Sequence, residues 1–191
     1  MSPQRSNRSQ LIEGTLRCLE RLPPERITAR AIADESGANL ASIAYHFGSK
    51  DALVTEAAIA GLDRWLAEVA AALGDLADRT PEERYRAASE AVTSTRGSRT
   101  GLARHYVTAL ARAQHDDAIR ETLAEGFRRT RPEVAALLGL GDDEEGRDAA
   151  GLALALFHGL LIQTLLAPDL AIEGKRMHRA QVRLRGALPE A

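Results

Sequence analysis

The sequence ITARAIADESGANLASIAYHFGSKDAL, residues 27–53, decides how the rest of the chain is interpreted. Its first part predicts a short amphipathic helix, in which Thr28 is the N-cap and Ile32 and Ala33 share the apolar face. Gly37 follows where that helix must end, because glycine adopts the left-handed C′ conformation without a Cβ penalty. We therefore expect a sharp corner at Gly37.

A second, shorter helix is predicted directly after this corner. Asn39 can cap it, and Ile43 and Phe47, four residues apart, point to the same side. Gly48 then breaks the helix, and Ser49 is placed to cap a third one. Because a helix this short contributes little core, its outer face is expected to have another role.

Lys50 lies in the first turn of the third helix, where a cation is unfavourable beside the positive end of the helix dipole. An anion bound there would use the unpaired backbone N–H groups, the dipole and the Lys50 ammonium together. The pattern therefore predicts a phosphate contact at Lys50. Two short helices joined by a glycine-containing turn form the helix-turn-helix arrangement, which places its second helix in the major groove of DNA.

This stretch resembles the DNA-binding signature of the tetracycline-repressor (TetR) family of one-component transcriptional regulators. The resemblance covers about residues 8–55. Ala38 stands where that family commonly has a larger aliphatic residue, and Asn39 stands where Ser or Thr is commoner. The residues whose order and spacing match are Thr28, Ile32, Ala33, Gly37, Ser42, Ile43, Tyr45, His46, Phe47, Ser49, Lys50 and Leu53.

The resemblance implies a dimer that binds a near-palindromic DNA operator and is released by a small molecule in its C-terminal domain. It also implies which residues contact the DNA. A polar N-terminal arm with Arg5 and Arg8 could add a phosphate or minor-groove contact, or it could be a solvated tail. With Arg30 and Lys50 as the other cations, we expect about two to four charge contacts per subunit. Thr28, Arg30, Asn39, Tyr45 and Lys50 are expected at phosphates, and Leu40, Ala41, Ser42 and His46 at base edges.

Composition favours an all-helical protein, since Ala, Leu, Glu and Arg are abundant and aromatic residues make up only 4% of the 191 residues. Residues 1–50 carry seven Arg or Lys against five Asp or Glu, although the whole chain has a net charge of −2. This split mildly supports a DNA-facing N-terminus. We predict a three-helix DNA-binding domain over residues 1–54 and a larger helical bundle for effector binding and dimerisation over residues 55–191.

Apolar periodicity and helix breakers predict the helices themselves. One helix, over residues 49–73, is long enough to connect the two domains. Pro132 is expected to kink or restart the helix that contains it. Outside the quoted stretch, the predicted helices are residues 8–22, 49–73, 81–94, 100–114, 116–138, 149–167 and 172–188.

Residues 149–167, AAGLALALFHGLLIQTLLA, are the most apolar run and approach the length of a membrane span. Against a span, no positive flank adjoins the run, Asp148 and Asp169 bracket it, and His158 and Gln163 lie inside it. We interpret the run as a helix buried between its own bundle and a second subunit. The last two helices of each subunit would then form a four-helix dimer interface, with no membrane partner.

Large apolar residues of the C-terminal part are candidates to line an effector cavity, although each would serve equally well as an ordinary core residue. Their character favours an apolar ligand. A ligand in this cavity would release DNA by moving the connecting helix. The coupling free energy needed between ligand binding and DNA binding is only about 1 to 3 kcal/mol. The candidates are Trp65, Leu102, Tyr106, Phe127, Phe157 and Leu161.

Two other functional classes stay open. An enzyme would use His105, His115 or His158 as acid, base or metal ligand, but His115 has Ile119 at i+4, where a second ligand on one helix would lie. We therefore expect no catalytic residue, no metal and no cofactor. An architectural DNA-binding protein without an effector would be favoured if the C-terminal domain had no cavity.

The expected location is the cytoplasm. Cys18 is the only cysteine, so an internal disulfide is excluded, which fits a reducing compartment. Residues 1–10, MSPQRSNRSQ, lack the apolar core of a signal peptide.

Overall fold

The computed structural model describes residues 7–74 and 78–187, and within those ranges it contains helices and no strand. The predicted all-α fold is confirmed. Three short 3-10 turns lie at Pro24–Arg26, Gly97–Arg99 and Pro168–Leu170. The helices are α1 (Asn7–Arg21), α2 (Ala29–Ser36), α3 (Ala41–Phe47), α4 (Lys50–Leu73), α5 (Pro81–Arg96), α6 (Thr100–Arg112), α7 (Asp117–Leu138), α8 (Glu144–Leu166) and α9 (Gly174–Arg185).

α8 starts earlier than predicted, and α7 shows how the chain accommodates Pro132. α8 begins at Glu144, ahead of the apolar run, because the Asp143 side chain accepts a hydrogen bond from Gly146 N at 2.8 Å and caps the helix there. α7 runs through Pro132 as one helix, so the proline does not restart it. Val134 and Leu138, which follow the proline, are buried and hold that end of the helix in place. α9 begins at Gly174 and ends at Arg185, so it is shorter at both ends than the predicted helix over residues 172–188, of which residue 188 lies outside the described residues.

The N-terminal core joins α1, α2, α3 and the first half of α4. Leu11, Leu19, Ile32 and Leu53 are completely buried in it. α1 and α2 approach each other through Gly14, where a Cβ atom would lie 2.5 Å from Ser36 Cβ. A glycine is therefore required in the middle of α1 by packing, at some cost in helix propensity.

α4 leaves this core and continues into the second one, where Trp65, Val69 and Leu73 are buried. The two cores are in contact rather than separate, because α6 starts against α1: a Cβ at Gly101 would lie 2.5 Å from the carbonyl oxygen of Leu19. The division at residues 54 and 55 therefore stays a prediction.

Exposed large apolar side chains occur at two places among the described residues: α3 together with the residue before it, and the segment from α8 to α9. α8 passes the length and composition test for a membrane span, with a mean hydropathy of 1.8 over its most apolar window, of which 17% is buried. α9 has no buried residue. The second group comprises Leu152, Leu156, Ile162, Leu166, Leu170, Val182 and Leu184.

Candidate DNA-binding surface and effector cavity

The corner between α2 and α3 has the geometry that the sequence predicts. Thr28 Oγ1 caps α2 by accepting a hydrogen bond from Ala31 N at 3.1 Å. Gly37 has φ 64°, the left-handed conformation, and its N–H donates to the carbonyl oxygen of Ala33. Asn39 Oδ1 then accepts from Ala41 N at 3.0 Å, so the chain starts α3 at once.

α3 presents one side to the core and the other to solvent. Ile43 and Phe47 are 4% and 8% exposed, whereas Tyr45 is 84% and Leu40 is 48% exposed. An exposed tyrosine and leucine on one short helix are unusual in a surface without a partner. Of the other sequence candidates, Thr28, Arg30, Asn39 and Ala41 are exposed, and Ser42, His46 and Lys50 are half-buried.

Lys50 is not an isolated cation at the start of α4. Its Nζ donates to the carbonyl oxygen of Ile27 at 3.3 Å and lies 2.8 Å from Asp51 Oδ1. Asp51 is an acidic residue in the same first turn, which offsets the unfavourable position of the ammonium at the helix end. The ammonium is therefore held at the junction of α2 and α4, and its side chain is 31% exposed.

The structure corrects the expectation for the N-terminal arm. Arg8 is part of α1 rather than of an arm, forms an ion pair with Glu56 on α4, and lies 5.1 Å from the centre of the Phe47 ring. A cation already paired and placed over an aromatic ring is poorly available to DNA. Arg5 lies outside the described residues.

A cavity of about 1700 Å³ lies between α4, α5, α6, α7, α8 and α9. Five of the six sequence candidates, Trp65, Tyr106, Phe127, Phe157 and Leu161, line it. Leu102 does not: it packs against Gly61 and belongs to the N-terminal core. The prediction for Leu102 is wrong because helical spacing gives the buried side of α6 but not which of two cores that side meets.

The sequence offers His158 as a possible acid, base or metal ligand, and the structure places it in the cavity wall. Its ring stacks on Tyr106 at 5.1 Å between centres and meets Phe127 and Phe157 edge-on, each at 5.2 Å. Burial lowers the pKa of His158 to about 4, in spite of a hydrogen bond to the backbone of Leu154, so the imidazole is neutral near pH 7.

Arg96, at the end of α5, also lines the cavity, and the sequence analysis makes no prediction for it. It is 9% exposed, although arginine is rarely buried. The sequence contains no signal for its burial, because a single basic residue in the last turn of a helix is ordinarily explained by the helix dipole.

Two family models match the chain. The model for BetI-type transcriptional repressors, C-terminal, matches residues 81–183, which is more than half of the chain. The model for bacterial regulatory proteins of the tetR family matches residues 11–57. The chain belongs to the TetR family. The earlier resemblance is thereby confirmed, and transcriptional regulation is the function class of this TetR protein. No curated protein sequence matches it at a significant level.

Solved structures of similar fold include several transcriptional regulators. A putative transcriptional regulator from Pseudomonas aeruginosa PAO1 has 27% identity and a TM-score of 0.60, over 84% of this chain and 80% of that one. The multidrug binding protein EbrR, complexed with imidazole, has 25% identity and a TM-score of 0.65, over 98% and 93%. A putative regulator from Saccharomonospora viridis, in complex with choline, shares the fold at 24% identity and a TM-score of 0.56, over 84% and 85%.

The histidines considered for catalysis are dispersed in this TetR protein. His105 is buried, and its Nε2 donates to the carbonyl oxygen of Leu22 at 3.2 Å, tying α6 to the end of α1. His115 is exposed at the turn before α7. Within residues 7–74 and 78–187, no three His, Cys, Asp or Glu side chains are grouped to hold a metal. The absence of a metal and a cofactor stays a prediction.

Proposed function

We propose that this protein is a dimeric one-component transcriptional repressor. Its helix-turn-helix binds a near-palindromic operator, and a small, mainly apolar ligand in the cavity releases the DNA. The protein would act in the cytoplasm and would not be an enzyme. The proposed domains are residues 1–54 for DNA binding and residues 55–191 for effector binding and dimerisation.

The exposure of α3 carries the proposal for DNA binding. Tyr45 is 84% exposed although Ile43 and Phe47 on the same helix are buried, so the outer face of α3 protrudes where a duplex can reach it. In this proposal Thr28, Arg30, Asn39, Tyr45 and Lys50 hold phosphates, and Leu40, Ala41, Ser42 and His46 approach base edges. Phosphate contacts would fix the register, and base contacts would set the sequence.

The apolar stripe of α8 supports the dimer. Leu152, Leu156 and Leu166 are exposed and recur at helical spacing, and beside them a Cβ at Gly159 would meet nothing within 4 Å. A stripe of this kind needs cover in water, and a second copy of the same helix offers a complementary surface. Two-fold pairing through α8 and α9 would also place two copies of α3 at a fixed separation.

The cavity favours an effector over an architectural role. An architectural DNA-binding protein has no use for a cavity of about 1700 Å³ lined by Trp65, Tyr106 and Phe157. Structural neighbours hold imidazole and choline, so ligand binding is compatible with this fold. Ligand contacts on α6 and α4 would change the separation of the recognition helices, because both helices also pack on the N-terminal core.

Selection of bound sites from random DNA tests the proposed function. The recovered sites should contain two inverted half-sites whose centres lie about 34 Å apart, or roughly ten base pairs. A variant with Tyr45→Ala and His46→Ala provides the control, because it changes the outer face of α3 without touching Ile43 or Phe47. Enrichment of single, unpaired sites would contradict the dimer, and absence of any enrichment would contradict DNA binding.

A further inference from the structure

The cavity contains one buried formal charge. Among the described residues, Arg96 is the only Arg, Lys, Asp or Glu that is buried, with 10% of its side chain exposed. The acidic residues that line the same cavity are more accessible: Glu82 and Glu90 are exposed, and Asp63 is paired with Arg129 at 2.5 Å. Arg96 is therefore the buried member of the charged cavity wall, and its own partner, Glu173, is exposed.

The guanidinium of Arg96 is held by three long contacts. Its Nη1 lies 3.2 Å from Glu173 Oε1 and 3.3 Å from Thr164 Oγ1, and its Nη2 lies 3.4 Å from Thr93 Oγ1. Charge-assisted bonds between Arg and a carboxylate are normally about 2.7 to 2.9 Å long and often bidentate. All three contacts are longer, and two of them go to neutral hydroxyl groups.

Glu173 is a replaceable partner. It precedes α9, its side chain is 46% exposed, and α9 has no buried residue. An exposed carboxylate loses little when it returns to water, whereas Arg96 cannot leave the cavity without moving α5. A bound anion could therefore displace Glu173 and take its place at the guanidinium.

The rest of the cavity wall is apolar and aromatic. Trp65 meets Phe157 edge-on at 5.2 Å between ring centres, and Trp65 Nε1 donates to Thr95 Oγ1 at 2.7 Å, next to Arg96 in the sequence. His158 is packed among the aromatic rings and is neutral near pH 7, so it adds no second cation. The wall thus suits a hydrocarbon or aromatic body.

We infer that the effector of this cavity is an amphiphilic anion. Its carboxylate, or another group of the same charge, binds the Arg96 guanidinium in place of Glu173, and its apolar body lies against Trp65 and Phe157. This assignment rests on the proposed function and specifies the ligand class of the same cavity. It adds one anionic head group to the apolar ligand that the sequence predicts.

Three probes with the same ten-carbon chain test the charge of the site: decanoate, decanol and decyltrimethylammonium, used below their aggregation concentrations. Binding to the full chain is followed by the fluorescence of Trp65, the only tryptophan. Decanoate should bind at least about tenfold more tightly than decanol, because its carboxylate can form a charge-assisted pair with Arg96 in place of Glu173, whereas the neutral hydroxyl of decanol cannot. Equal affinities, or tightest binding of the cation, would overturn the inference.

Substitutions of Arg96 and of Glu173 should change the affinity for decanoate in opposite directions. Arg96→Met should reduce decanoate affinity about tenfold or more and leave decanol unchanged, while Arg96→Lys should keep part of the preference. Glu173→Gln should tighten decanoate several-fold without affecting decanol, because it removes the competing carboxylate. An unchanged preference for decanoate in Arg96→Met, or weaker decanoate binding in Glu173→Gln, would contradict the assignment. The Glu173 side chain is 46% exposed, so the Glu173→Gln variant should fold. It therefore tests the site even if the Arg96→Met variant does not fold.

Operator binding separates this inference from the proposed function. If the wild-type protein binds decanoate as expected but selects no DNA, the repressor proposal fails and the anion site stands. If it selects paired half-sites but shows no preference among the three probes, the anion site fails and the repressor proposal stands.

Discussion

Arg112 Nη1 lies 2.5 Å from Asp51 Oδ1, which joins the last turn of α6 to the first turn of α4. The same carboxylate oxygen lies 2.8 Å from Lys50 Nζ. Burial alone would raise the pKa of Asp51, but the hydrogen bonds from Lys50 and Arg112 outweigh it and lower the pKa. Since α6 also carries Tyr106 in the cavity wall, one helix contacts both the effector cavity and a residue beside the proposed phosphate site.

Arg112→Ala should weaken operator binding about three- to tenfold. Without the guanidinium, the full charge of Asp51 acts on Lys50 and repels the nearby phosphate. The second substitution Asp51→Asn should restore most of the affinity in the Arg112→Ala background. Fluorescence anisotropy with a labelled operator measures both effects. A double variant that binds as weakly as Arg112→Ala would show that Arg112 acts through packing instead.

Lys50→Ala should weaken binding to all operator sequences alike, whereas Ser42→Ala or His46→Ala should change the preference among them. For the wild-type dimer, the slope of log K against log salt should be about −4 to −7, and Lys50→Ala should reduce its magnitude by about two. Titrations at several salt concentrations measure these slopes. A wild-type slope near zero would contradict phosphate binding directly.

Gly14→Ala should lower the free energy of unfolding by roughly 1 to 3 kcal/mol, because the new Cβ would lie 2.5 Å from Ser36 Cβ between α1 and α2. Gly97→Ala is the matched control. Its φ is −58° and a Cβ there would meet nothing within 4 Å, so it should stabilise by roughly 0.4 to 1 kcal/mol. Urea denaturation compares the two. Equal stabilities would mean that α1 and α2 are further apart than the structure has them.

Stability should fall as the pH is lowered from 6.5 towards 4. The pKa of His158 is about 4 in the folded protein, whereas an ordinary histidine, as in the unfolded chain, has a pKa of 6.5. Between these two values the unfolded chain binds more protons than the folded one. The loss from this residue should be roughly 3 kcal/mol.

His158→Phe should reduce the pH dependence without abolishing it. Burial also lowers the pKa of His105, so the second buried histidine contributes a loss of the same sign. Thermal unfolding at pH 7.5, 6 and 5 measures the effect. An identical pH dependence in His158→Phe and wild type would place His158 in water rather than among the aromatic rings.

Leu152→Glu with Leu166→Glu should dissociate the proposed dimer, raising its dissociation constant by about two orders of magnitude, because each charge would be buried in an apolar interface. Both residues are 75% exposed in the single chain, so the monomer should still fold. Leu40→Glu is the control: it should reduce DNA binding and leave the dimer intact. Sedimentation velocity measures the assembly state, and a double variant that remains dimeric would exclude this face of α8.

The sequence predicts that apolar residues line the cavity, and it identifies some of those residues. Helical spacing identified Trp65, Tyr106, Phe127, Phe157 and Leu161 as inward residues, and all five line the cavity. The same spacing failed for Leu102 because periodicity gives only the buried side of a helix. Arg96 and His158 could not be assigned to the cavity, since their burial depends on helices distant in the sequence.

The sequence by itself determined the helices and the corner. The breaks at Gly37 and Gly48 and the caps at Thr28 and Ser49 depend on backbone angles and on hydrogen bonds within a few residues, so local chemistry is sufficient. Only the tertiary structure decided which charged side chains form ion pairs and which of them are buried. Arg96 with Glu173 and Arg112 with Asp51 are distant in the chain, and such contacts exist only after the helices have packed.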